Sequence, residues 1–175
     1  MDFINIIIVV IFIGFLGYEG YRAGQAFFKH RKLVAETISI RKNVHIQKDY
    51  IVWCLLYFVF AIILCFFSLT YYKTELYLEA VLFLLFFLFC FVFMMEMIIA
   101  KTVVFYDTGF MCNLGHHKYR SVLKITSEKQ FLKGYVVKLT NDETVILSKK
   151  AVEVLKTYIE SYKNAKKENR KESKR

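Results

Sequence analysis

Proline is absent from this 175-residue chain, and glycine occurs only seven times. Four cysteines are present, and no two of them form a C-x-x-C pair. These counts exclude collagen-like, proline-rich and disulfide-scaffold proteins. Acidic residues are scarce as well: 15 Asp and Glu stand against 25 Lys and Arg, for a net charge of +10. The abundance lies elsewhere, in 57% hydrophobic residues that include 18 Phe and 12 Tyr. Apolar content of this size does not stay solvated, so disorder is excluded as the general state. It also exceeds the roughly 45–50% of an ordinary soluble domain, and the excess is gathered into long runs. The length suits one ordinary domain.

The first run is Phe3 to Tyr18, broken only by Asn5. As a helix it reaches about 24 Å, slightly short of a bilayer core of about 30 Å. The helix is expected to continue through Glu19, Gly20, Tyr21 and Arg22, giving a first span over 1–24. A secretory signal peptide would carry basic residues before its apolar core. Here they follow it, at Arg22, Lys29, Arg31 and Lys32. The second span is read over 50–69 and the third over 76–100, with an outer loop at 70–75. One such run could be a buried helix of a soluble protein. Three within the first 100 residues predict a membrane protein.

Orientation follows from the basic residues flanking the spans. Of the 25 Lys and Arg, seven run from Arg22 at the end of the first span to Lys48 before the second, one lies in the 70–75 loop, and seventeen follow Ala100. The N-terminus is therefore expected outside and the C-terminus in the cytoplasm, as a multi-pass cell-membrane protein. Tyr50, Trp53, Tyr57, Tyr71, Tyr72 and Tyr77 fall where interfacial aromatics belong.

From Lys101 the pattern changes. Strands are predicted over 102–106, 110–113, 121–126, 135–139 and 144–147, with turns at Asp107-Thr108-Gly109 and Asn141-Asp142. Ser148 is placed to cap a helix on which Val152, Leu155, Ile159 and Tyr162 recur at helical spacing. That helix is the natural cover for one face of the sheet. In the 25–49 segment, Ile38 and Ile40, then Val44 and Ile46, alternate with polar residues around Arg41-Lys42-Asn43. This predicts a short hairpin, stable if it joins the later sheet. The expected fold is thus α+β: three transmembrane helices plus a small cytoplasmic antiparallel sheet with a C-terminal helix over 101–162. The tail over 163–175 reads as solvated. Its Lys163, Lys166, Lys167, Arg170, Lys171, Lys174 and Arg175 are candidates for contact with an anionic inner leaflet.

Val103-Val104-Phe105, Gly109-Phe110 and Tyr119-Arg120-Ser121, followed by an apolar strand and a final helix, resemble the YobD-like family of three-span bacterial membrane proteins. The Arg41-Lys42-Asn43 region resembles that family's basic turn before span two. The order of strands then helix also resembles a reduced bacterial pleckstrin-homology-like (PH-like) domain on a membrane anchor, as in proteins similar to the sublancin immunity protein. These resemblances imply a fold and a location, and no established activity.

Catalytic signatures are not found: there is no G-x-S-x-G, H-E-x-x-H, Walker or dinucleotide pattern. Cys54, Cys65, Cys90 and Cys112 read as buried thiols. Cys112, His116 and His117 form the one local ligand cluster, but adjacent histidines on a strand point to opposite faces. No cofactor, metal or nucleic-acid module is expected. Glu79 and Glu96 read as anchors near the membrane surfaces, and Glu19 and Arg22 as an i,i+3 pair. Gly14, Gly17, Gly20 and Gly24 share one helix face, which predicts close approach of another helix, from this chain, a second copy or another membrane protein. The functional expectation is a non-enzymatic accessory or regulatory membrane factor acting by protein or lipid contact. The alternative is a bacteriocin immunity protein that protects its cell by occupying the toxin's target or blocking its insertion.

Overall fold

A computed structural model describes residues 3–127 and 134–172. The elements run α1 (Phe3–Ile40), β1 (His45–Lys48), α2 (Ile51–Lys73), α3 (Tyr77–Lys101), β2 (Thr102–Tyr106), β3 (Gly109–Cys112), β4 (Gly115–Lys118), a 3-10 turn (Tyr119–Ser121), β5 (Val122–Ser127), β6 (Gly134–Leu139), β7 (Thr144–Ser148) and α4 (Lys149–Glu172). The protein is α+β, and its chain divides into two units.

The helical unit takes residues 3–30 and 50–100. All three of its helices are long and apolar enough to cross a membrane. Large apolar side chains such as Val10, Ile11, Leu55 and Phe66 are exposed on them, a surface of the kind a bilayer core accommodates. The third helix packs against both others. On one side Phe12 lies 5.4 Å from Phe86 and Phe15 lies 6.1 Å from Phe89, ring centre to ring centre. On the other, Tyr57 stacks on Phe93, Phe67 and Tyr71 stack on Phe83, and Ala61, Leu64 and Cys90 form a small core. The Ser68 hydroxyl donates to the Ala80 carbonyl at 2.8 Å. Arg22 pairs with Glu19 at 2.7 Å, as the spacing predicts, and also with Glu96 at 3.2 Å. α2 extends to Lys73, four residues past the expected end of the span. The connection to α3 is therefore shorter than 70–75 and is closed by Glu75 at φ 63°.

Within this chain the four glycines of the stripe have different surroundings. A Cβ at Gly20 would lie 3.8 Å from Val92, whereas one at Gly14, Gly17 or Gly24 would meet nothing within 4 Å. Of the four, Gly20 alone sits against another helix of this chain. Gly20→Leu is expected to lower stability in detergent by about 1–3 kcal/mol through overpacking, with Gly17→Leu close to the parent. Thermal melts that fall equally for both variants would contradict this packing.

The second unit is a composite of residues 31–49 and 101–172. It contains two antiparallel sheets, ordered β1-β2-β3-β4 and β5-β6-β7. β1 joins the sheet by pairing with β2, with Ile46 opposite Val104 and Lys48 opposite Thr102. The hairpin expected in 36–48 is corrected in its first half. Residues 36–40 are helical, and Ile38 and Ile40 are exposed at 47% and 73%. No proline interrupts α1, and its last turns gain burial that strand pairing of 37–40 would forfeit. Leu33 and Val34 pack on Val104, Tyr106 and Met111, and Thr37 is buried beside Met111. Asn43, at φ 53°, ends this stretch and turns the chain into β1, a conformation Asn tolerates better than most residues. At 38 residues α1 is about 57 Å long, nearly twice a bilayer core. Its last turns serve the composite unit.

The first sheet is thus covered on both faces. One face meets α1 through Val104, Tyr106 and Met111. The other holds the main core, where Val103, Phe105, Phe110 and Cys112 meet Val137, Leu139, Val145 and Leu147 of the second sheet and Ala151, Val152 and Leu155 of α4. This explains why β2 is a continuous apolar run, buried at every position, rather than an alternating one. Ser148 caps α4 as expected, its Oγ accepting the Ala151 N–H at 3.0 Å. The Ser148 hydroxyl also donates to the Asp49 carboxylate, whose other oxygen accepts from Gln47 at 2.7 Å.

Candidate functional site

The basic residues of the expected tail lie on a helix. α4 continues to Glu172, ten residues past Tyr162, so the stretch read as a solvated tail is helical as far as Glu172. Lys163, Lys166 and Lys167 are exposed on it. Arg170 and Lys171 fall within the same helix. Lys174 and Arg175 lie outside the described residues. The apolar face of α4 ends near Tyr162, where Tyr119, Tyr158 and Tyr162 gather. Tyr158 stacks on Phe105 at 5.5 Å, and the Tyr119 hydroxyl donates to the Tyr106 carbonyl at 2.8 Å. Burial raises the Tyr119 pKa against the opposing effect of that hydrogen bond, so the phenol stays neutral.

Cys112, His116 and His117 do not converge. β4 alternates its side chains, so His116 faces Tyr106 and His117 faces Phe110, on opposite sides of the sheet. Cys112 is buried in the main core, and that burial, reinforced by the Glu143 charge, pushes its thiol up to about 12. A thiol held protonated to that degree is a poor ligand and a poor nucleophile. Among the described residues no group of three His, Cys, Asp or Glu could hold a metal ion.

The composite unit does contain a polar cleft of about 660 Å³. It lies where β4, the 3-10 turn and the β6–β7 turn meet, and His117, Lys118, Arg120, Ser121, Asn141 and Glu143 line it. Local structure fixes its walls. The β3–β4 hairpin turns on Asn113 and Leu114, both left-handed at φ 45° and 65°, as a two-residue hairpin turn requires. The β6–β7 turn is closed by Leu139 N–H donating to Glu143 O at 2.9 Å, with Asp142 at φ 59°. Thr140 N–H donates to Ser121 O at 2.9 Å and joins the two walls. His117 sits half-buried, with Phe110 5.3 Å away and its Nδ1 3.8 Å from the Glu143 carboxylate. A Cβ on Gly115 would come within 3.1 Å of the His117 ring, so that glycine gives the imidazole its place. Burial lowers the His117 pKa, and the nearby Glu143 only partly opposes this.

The sequence reading did not single out this cleft. Arg120-Ser121 and Asn141-Asp142 are visible in the sequence as part of a motif and as a turn, but twenty residues separate them. Their meeting depends on β5 and β6 pairing, with Val122 opposite Leu139.

In class, then, this is an α+β protein with three apolar helices of membrane-spanning length and a composite β domain with a C-terminal helix. Comparisons with protein-family models, curated proteins and solved structures return no match.

Proposed function

We propose that the chain is a non-enzymatic integral membrane protein whose basic, PH-like domain faces the cytoplasm. It acts as an accessory or regulatory factor by contact with a protein or the inner leaflet. The observation that carries this reading is the pairing of β1 with β2. These strands flank α2 and α3 in sequence, so they meet in one sheet only if that pair of helices returns the chain to the side it left. Three spans satisfy this condition, and the distribution of Lys and Arg assigns that side to the cytoplasm. A four-stranded and a three-stranded antiparallel sheet followed by a helix support the PH-like description. The exposed lysines of α4 support attraction to anionic lipid, worth about 1 kcal/mol for each basic residue at the surface.

Two measurements test it. A cysteine at Thr74 is expected to label from outside intact cells, and one at Asn164 only after permeabilisation. External labelling at Asn164 would reverse the orientation. In nanodiscs, a solvent-sensitive probe at Asn164 is expected to be shielded by phosphatidylglycerol and not by phosphatidylcholine. Changing Lys163, Lys166 and Lys167 to Gln is expected to abolish the difference. Equal exposure of the parent in both lipids would remove the inner leaflet as a partner of α4.

A further inference from the structure

The cleft between β4, the 3-10 turn and the β6–β7 turn brings together cations that the fold leaves unused. Lys118 and Arg120 both line it, both are exposed, and neither forms an ion pair among the described residues. Two cations against the single carboxylate of Glu143 leave the cleft net positive, and a positive concave site favours an anion. Asn141 and Thr140 add an amide and a hydroxyl at the same rim. Glu143 is the one carboxylate lining the cleft, and it already stands beside the His117 imidazole. The backbone hydrogen bond from Thr140 to Ser121 and the closed β6–β7 turn fix the walls, so the backbone that carries these groups is set in advance.

We propose that this cleft binds a phosphate group, carried by a soluble phosphate ester or by a phospholipid headgroup. The donor types fit that chemistry. A guanidinium presents a planar fork to two phosphate oxygens, an ammonium adds a point charge, and neutral donors take the oxygens that remain. The volume falls within the range of small-molecule sites, about 300–1,000 Å³, and leaves room for the group that bears the phosphate. This site is distinct from the stripe on α4. It is a shaped cleft that recognises one group, whereas the stripe is a charged surface.

The test uses the full chain in non-ionic detergent at constant ionic strength. Binding of inorganic phosphate, glycerol 3-phosphate and dihexanoyl phosphatidylglycerol is followed by calorimetry, with sulfate as a competitor. Saturable one-to-one binding of at least one probe is expected, weakened about tenfold or more by Arg120→Gln and by Lys118→Gln, since each removes a charge-assisted hydrogen bond. Lys166→Gln on α4 is expected to leave it unchanged. Saturation by inorganic phosphate or glycerol 3-phosphate identifies a soluble ester as the source, and saturation by the short-chain lipid alone identifies a headgroup. The proposal is overturned if no probe saturates, if both cleft variants bind like the parent, or if Lys166→Gln weakens binding as much as they do. Because no bilayer is present, the result is independent of the shielding measured at Asn164.

Discussion

Gly109→Ala is expected to open the four-stranded sheet. A Cβ at this position would collide with the His117 carbonyl oxygen and would lie 3.1 Å from its carbonyl carbon, with the Lys118 Cα at 3.2 Å. All three are backbone atoms of β4, which pairs directly with β3 here through Gly109 and Lys118. A side chain could rotate away from such a clash, but a paired strand cannot. Overpacking in a well-packed core costs about 1–3 kcal/mol, and a rigid obstacle places this variant at about 3 kcal/mol or beyond. The obstacle is spatial, since Gly109 is not left-handed. Hydrogen exchange is expected to speed up at Met111 and Cys112 while the helical unit keeps its protection. The same variant is expected to lose phosphate binding, because β4 carries Lys118 and leads directly to Arg120. A melting profile identical to the parent's would show that the strands are not so close.

Phe105→Ala is the second large effect. Phe105 is fully buried at the centre of β2. Its ring lies 5.5 Å from Tyr158 on α4 and 6.3 Å from Phe110 on β3. Truncation removes contacts to both the sheet and the helix, and a Phe-to-Ala cavity costs about 3–5 kcal/mol. Ile40→Ala is the matched comparison. An isoleucine in a predicted hairpin would be a core residue, but Ile40 lies on the exposed side of the end of α1. It is therefore expected to change stability by no more than about 0.5 kcal/mol. Urea titration of the full chain, followed by exchange at Leu139 and Leu155, separates the two. Comparable losses from both variants would restore the hairpin.

The contrast between these residues shows which features are legible in the sequence. The three apolar helices, the strands at 102–106, 135–139 and 144–147, and the Ser148 cap follow from local pattern. In each, a continuous apolar run, an alternation or a capping residue is present within the element itself. β4 escaped because Gly115-His116-His117-Lys118 has no apolar alternation, and because its turn places Leu114 where a glycine would have signalled a hairpin. The end of α1 escaped for the opposite reason. Ile38 and Ile40 alternate like strand residues, but Leu33, Val34 and Thr37 have a partner in the first sheet that no local pattern reveals. The separation into two sheets, and with it the cleft, depends on pairings between distant strands. The carboxylate of Asp49 against Ser148 is a further contact across 99 positions that leaves no local trace.

The pairing of β1 with β2 also sets the order in which the protein can be made. A chain emerging from its N-terminus exposes β1 well before its partner, because α2 and α3 must be synthesised and placed in between. Throughout that interval β1 is an unsatisfied strand, and its composition suits the wait. His45, Gln47 and Lys48 keep it polar, which discourages pairing with the wrong neighbour. Under the proposed three-span topology, a nascent chain in which either α2 or α3 failed to cross would strand β1 and β2 on opposite sides of the bilayer. The domain would then lack an edge strand and the carboxylate that holds Ser148 at the start of α4. Under that topology, completion of the domain would report on correct insertion, and a misthreaded copy would be left without its edge strand.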